Sequence, residues 1–120
     1  MNEKVYILNA YGQEHKIILG KTSYRNNNTI AVLMIEVFDD GHEEDWATLT
    51  VNLECNLGLA NADDSQFIDT NNLGENIIKW LEDNKIANFT GLAWPSGFCM
   101  YPLVFFNDEA LASMRVLKRS

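Results

Sequence analysis

The sequence predicts an α+β domain, with a mainly antiparallel sheet of four to six strands and one principal helix packed on one face. Three observations predict it. Residues 29–38 are the longest apolar run, broken only by Glu36, as expected of a central strand covered on both faces. Ala47, Leu49, Val51 and Leu53 alternate with Thr48, Thr50 and Asn52, the period-2 pattern of a half-buried strand. Leu73, Ile77, Trp80 and Leu81 recur at i, i+4, i+7 and i+8, the apolar stripe of a helix. A chain of 120 residues forms one domain, spanning 1–120, and buries enough surface to need no metal or disulfide staple.

Taken in order, Val5-Tyr6-Ile7-Leu8 and His15-Lys16-Ile17-Ile18-Leu19 read as strands of a hairpin turning at Gly12-Gln13. Arg25-Asn26-Asn27-Asn28 is a polar loop. The apolar run and the alternating strand form a second hairpin with an acidic loop, residues 39–45, at its tip. Residues 56–66 are small and polar, a surface loop whose end Phe67-Ile68 pins to the core. The principal helix is expected over 73–83, capped by Asn72 with Glu75 in a capping-box relation and Glu75–Lys79 as an i,i+4 pair. Gly74 weakens it by about 1 kcal/mol relative to Ala, so it depends on packing its stripe. Phe89, Leu92, Trp94, Phe98, Tyr101, Phe105 and Phe106 crowd the next segment, turned by Pro95-Ser96-Gly97. Residues 98–106 read as a strand that Pro102 assigns to an edge or bulge. A short helix over 108–114, with Asn107 as cap, and a frayed basic tail close the chain.

Composition bounds the function. Seventeen Asp and Glu face nine Lys and Arg. Three of the nine, Arg115, Lys118 and Arg119, lie in the last six residues, so residues 1–114 carry a formal charge of −11. Phosphate contacts need clustered bases, which excludes direct nucleic-acid binding and points to a basic partner. Duplex DNA as long as a globule this size carries roughly twenty charges. The net −8 therefore fits mimicry by one concentrated face rather than by the whole surface. Cys55 and Cys99 are too few for a disulfide framework and read as reduced and buried. No basic n-region precedes an apolar stretch, and no run reaches the ~18 residues of a span. The expectation is a cytoplasmic protein of a bacterial host, away from membranes and without a cofactor.

The candidate binding residues follow from charge and aromaticity. Asp39, Asp40, Glu43, Glu44 and Asp45 place five carboxylates in seven residues, either a solvated turn or a surface for a basic groove. The spacing does not match a calcium-binding helix–loop–helix. Asp63 and Asp64 extend the acidic set. Trp94, at the Pro95-Ser96-Gly97 turn, is an interface anchor if exposed and core if not. His42 sits among carboxylates, with no Ser or Cys beside it. Two histidines and no Cys-x-x-Cys supply no zinc site. Glu36, inside the apolar run, is a candidate general acid but lacks a partner carboxylate. No catalytic residue is assigned, and the protein reads as a non-enzyme.

Three stretches carry a resemblance: Ala47-Thr48-Leu49-Thr50-Val51-Asn52-Leu53, Phe67-Ile68-Asp69-Thr70-Asn71 and Ser96-Gly97-Phe98-Cys99-Met100-Tyr101-Pro102-Leu103. The pattern resembles a small uncharacterised domain family carried by conjugative elements and phages of Firmicutes. It spans about half the chain and its motifs are structural. The resemblance implies a mobile-element context in which small acidic proteins act as anti-CRISPR or anti-restriction inhibitors. The expectation is an inhibitor that occupies the basic, nucleic-acid-binding surface of a CRISPR effector nuclease or related defence enzyme. The alternative is a structural or accessory interaction module of such an element, without inhibitory activity.

Overall fold

The described residues build two antiparallel sheets, not one. The structure is a computed structural model and describes residues 3–24, 29–53 and 64–117. The first sheet contains β1 (Tyr6–Ala10), β2 (Gln13–Ser23), β3 (Ile30–Val37) and β4 (Glu43–Thr48) in that spatial order, with β9 (Arg115–Val116) added in parallel to β2. The second has the order β5 (Thr50–Val51), β6 (Ser65–Ile68), β8 (Cys99–Phe106), β7 (Ala87–Ser96). Helices α1 (Thr70–Leu73), α2 (Asn76–Asp83) and α3 (Asp108–Ser113) are short. The domain is mostly β, and the expectation of a single principal helix on one sheet is corrected.

The first hairpin turns at Tyr11-Gly12, one residue earlier than expected. Ala10 pairs with Gln13, leaving a two-residue loop with φ of +54° at Tyr11 and +75° at Gly12. Positive φ at both central residues is the type I′ pattern, whose twist matches the strands it joins.

The alternating run of residues 47–53 is divided between the sheets. Leu49, fully buried, donates its N–H to Val32 O (2.9 Å), and its carbonyl accepts from Asp69 N (3.0 Å). One residue thus links β3 to the chain leading from β6. Past this switch the pleat alternation fails. Thr50 is buried because its hydroxyl accepts from Val32 N (3.2 Å) and bonds Tyr24 Oη (2.9 Å).

The main core lies between the sheets and helices. Ile17, Val32 and Met34 of the first sheet meet Ile68, Val104 and Phe106 of the second, sealed by Ile77 and Leu81 of α2 and Met114 after α3. Gln66 is buried there too, with its amide N–H groups given to Thr29 Oγ1 and Ile30 O (both 2.9 Å) and its Oε1 accepting from Phe67 N. Full pairing is what makes a buried amide tolerable.

The expected helix over 73–83 is broken in two. Gly74 has φ +85° and ψ 158°, a backbone region open in practice only to glycine. Asp69 caps α1 through Asn72 N (3.3 Å), α2 starts without a side-chain cap, and Lys79 pairs with Asp83 (2.8 Å) rather than Glu75. The stripe nonetheless packs: Ile77 and Leu81 are buried, and Leu73 and Trp80 pack against the core.

The β7–β8 hairpin turns at Gly97-Phe98, since Ser96 pairs with Cys99. In such a loop the closing pair is hydrogen-bonded and the pairs then alternate. Pro95–Met100 and Ala93–Pro102 therefore fall at non-hydrogen-bonded positions, where a missing N–H costs the ladder nothing. Pro102 also adjoins the register shift between Phe89 and Ala93, the bulge expected of it. Cys99 is a free, half-buried thiol that donates to Asn71 Oδ1 (3.3 Å) rather than a core residue; Cys55 lies outside the described residues.

The C-terminal segment is docked as far as it is described. Leu117 donates its N–H to Lys21 O (2.8 Å), and its side chain occupies the space above Gly20, where a Cβ would stand 2.7 Å from Leu117 Cδ1. Lys118 and Arg119 lie outside the described residues, as does the 25–28 loop.

Candidate functional site

The five clustered carboxylates do not all sit in a loop. Only Asp39 and Asp40 occupy the turn, closed by Phe38 N donating to His42 O (2.8 Å). Glu43, Glu44 and Asp45 belong to β4, the outer strand of the first sheet. The strand hydrogen-bonds there because β3 offers an apolar partner, Glu43 opposite Val37 and Asp45 opposite Ile35. Charge on an outer strand also discourages edge-to-edge pairing with other chains.

These carboxylates divide by partner. Asp39 meets Lys16 Nζ (2.8 Å), and that hydrogen bond holds its carboxyl below the ordinary value. Glu43 and Glu3 share Arg115, whose guanidinium donates to both (2.6–3.0 Å) and lowers both carboxyl pKa values. Asp40 Oδ1 accepts from His42 N (2.8 Å), and Glu44 meets His42 Nε2 (2.7 Å). All five are exposed. Asp64 is half-buried at the start of β6, its carbonyl accepting from Phe106 N (2.7 Å). Asp63 lies outside the described residues.

Trp94 falls between the two readings of it, neither fully exposed nor fully buried. It is half-buried and packs with Tyr101 and Val51 on a small second core of Phe67 and Leu103. The fully exposed aromatic at this hairpin is Phe98, on the turn itself, with Met100 beside it and Leu92 and Phe105 further along.

His15 and Glu36, separated by 21 positions, meet at 2.6 Å between Nδ1 and Oε2. Their side chains are 12% and 15% exposed. His15 Nε2 lies 3.2 Å from Ala10 O. The ring packs on Trp46 with centroids 4.4 Å apart. Glu36, an isolated acid in sequence, thus has a partner that only strand register brings to it.

Beside this pair lies a groove of about 430 Å3 that sequence reading missed. Its walls are β1 through Leu8, Asn9 and Ala10, the Tyr11 turn, Trp46 of β4, and the α1–α2 corner with Asn72, Asn76 and Trp80. His15 and Glu36 do not line it. Trp80 is held by its indole N–H donating to Ile7 O (2.8 Å) and by an edge-to-face contact with Tyr6 (6.0 Å, 69°). Tyr11 leans toward Trp46 at 6.3 Å and is 92% exposed. The one signal in the sequence was a tyrosine beside a turn glycine, where asparagine or aspartate is usual.

Among the described residues, no group of three or more His, Cys, Asp or Glu is placed to hold a metal ion. No helix among them is long and apolar enough to cross a membrane.

A family model described as "Domain of unknown function (DUF4313)" matches residues 18–118. The chain belongs to this family. No curated protein and no solved structure gives a significant match.

Proposed function

We propose that this DUF4313 member is a non-enzymatic binding protein that presents the β3–β4 end of its first sheet to a basic protein surface. One observation carries the reading. Asp40, Glu44 and Asp45 are exposed on a turn and an outer strand, Glu44 beside His42, while within this cluster Lys16 pairs with Asp39 and Arg115 with Glu43. The strand fixes the spacing of Glu44 and Asp45, and the turn holds Asp40 through its bond from His42 N, so charge is presented with little ordering cost on binding. Its narrower form is an inhibitor, from a mobile element and acting in a bacterial cytoplasm, that covers the nucleic-acid channel of a CRISPR effector nuclease or related defence enzyme. The acid excess of the whole chain supports that form.

The test uses a panel of purified nucleic-acid-binding defence enzymes, with binding followed by surface plasmon resonance. Affinity for the partner should fall as salt rises. The variant D40N/E44Q/D45N should bind about tenfold or more weakly through slower association. Binding that ignores both salt and the triple variant would sink the electrostatic reading.

A second reading rests on the other end of the fold. Phe98, Met100, Leu92 and Phe105 expose apolar surface along the β7–β8 hairpin, which suits an accessory interaction module. That reading predicts a mass that rises with concentration by light scattering and returns to the monomer in F98S/M100S.

A further inference from the structure

We infer that the groove between β1, Trp46 and the α1–α2 corner is a binding site for a neutral saccharide. The inference is independent of the acidic surface and rests on three features of the groove.

The aromatic walls are held in place before any ligand arrives. Trp80 is pinned by its N–H to Ile7 O (2.8 Å). Trp46 is backed by His15, which Glu36 and Ala10 O fix in turn. Rings locked in this way offer flat apolar faces at little entropic cost, and a pyranose presents such a face through its C–H groups.

Tyr11 completes the lip where neither folding nor turn chemistry asks for it. At 92% exposure it gains almost no burial. Its φ of +54° is a left-handed conformation that a bulky side chain adopts only under strain. Strained, exposed aromatic residues at a cleft mouth point to contact with something outside the chain.

The polar lining is neutral. Asn9 and Asn76 supply amides able to donate and accept, the pattern that hydroxyl groups need, and Asn72, whose Nδ2 donates to Asp69 Oδ2 (2.7 Å), adds an acceptor oxygen. The two charged lining residues, Lys79 and Asp83, satisfy each other at 2.8 Å. A phosphate or nucleotide would find no unpaired cation in this lining and would face a net charge of −8. A quaternary ammonium would find no unpaired acid. The volume of about 430 Å3 lies in the range of small-molecule sites, ~300–1,000 Å3.

The test titrates the full chain with neutral oligosaccharides of glucose, N-acetylglucosamine, mannose and xylose. Tryptophan fluorescence and the side-chain amide signals of Asn9, Asn72 and Asn76 by NMR are the readouts. At least one sugar should saturate both signals below about 10 mM. Tyr11→Asn, which suits a type I′ turn, should fold normally and weaken that affinity about tenfold, and Trp94→Phe should leave it unchanged. Tetramethylammonium chloride and a neutral peptide serve as competing probes. No sugar response at that concentration, a response to either competitor alone, or full affinity in Tyr11→Asn overturns the assignment. D40N/E44Q/D45N should bind sugar as the native chain does, so this outcome and that of the acidic-surface test are read separately.

Discussion

Tyr11 illustrates what one residue decides. The two-residue loop needs positive φ at both central positions, and Gly12 meets that need freely while Tyr11 does not. Relief of this strain predicts that Tyr11→Asn raises unfolding stability by about 1 kcal/mol, read as a higher urea midpoint with an unchanged slope. An equal or lower midpoint would mean that the exposed ring contributes through Trp46 more than the backbone loses. Glu36 teaches the opposite lesson. Read along the chain it is a lone acid in an apolar run. In the fold it faces His15 because Ile17 pairs with Glu36, which brings a residue two places before Ile17 onto the same face. No local signal encodes that meeting, because register is set by whole strands.

Elements were legible where a periodic pattern stayed within one layer. β1, β3, β8 and α3 fall close to the expected positions, whereas β2 runs over Gln13–Ser23, well beyond the expected 15–19. Three stretches were misread for identifiable reasons. The helix stripe at Leu73, Ile77, Trp80 and Leu81 is real, but Gly74 lies inside it with φ +85°, so one stripe serves two helices. Gly74→Ala should lower stability by about 1–3 kcal/mol and shift the thermal midpoint down. A mutant with greater stability would show that a continuous helix over 73–83 is accessible after all. The alternating strand at 47–53 was expected to stay in one sheet, yet it changes sheets at Leu49. Its alternation is that of two short strands sharing one core, and nothing in a period-2 pattern reveals the join. The acidic stretch was read as loop because Glu and Asp are depleted in strands; pairing with the apolar β3 overrides that preference in β4.

At the scale of the whole molecule, Arg115 ties three distant parts of the chain together. Its guanidinium joins Glu3, before β1, to Glu43 of β4, while its backbone adds a strand to β2. Hydrogen bonding to Arg115 lowers both carboxyl pKa values in the folded state. The stabilisation is therefore complete above the unfolded glutamate value of 4.5 and is lost as pH falls through the lower folded values. Arg115→Ala should melt below the native protein at neutral pH, and the gap should narrow as pH falls below 4.5. A gap that stays constant from pH 7 to pH 3 would show that Arg115 acts by packing alone. The basic tail was expected to fray, and Arg115 shows why that fails for its first residues: a base becomes ordered when an acid-rich sheet supplies its partners.

Composition and periodicity alone determined the charge balance of this chain, its antiparallel strands and its apolar core segments, because each depends on residues close in sequence. The partition into two sheets, the pairing of His15 with Glu36, the packing of Trp94 on the second core and the groove framed by Tyr11, Trp46 and Trp80 were decided only by tertiary structure. Each joins residues from separate elements, and their meeting depends on strand register, on the sheet change at Leu49 and on the break at Gly74, none of which a local pattern carries.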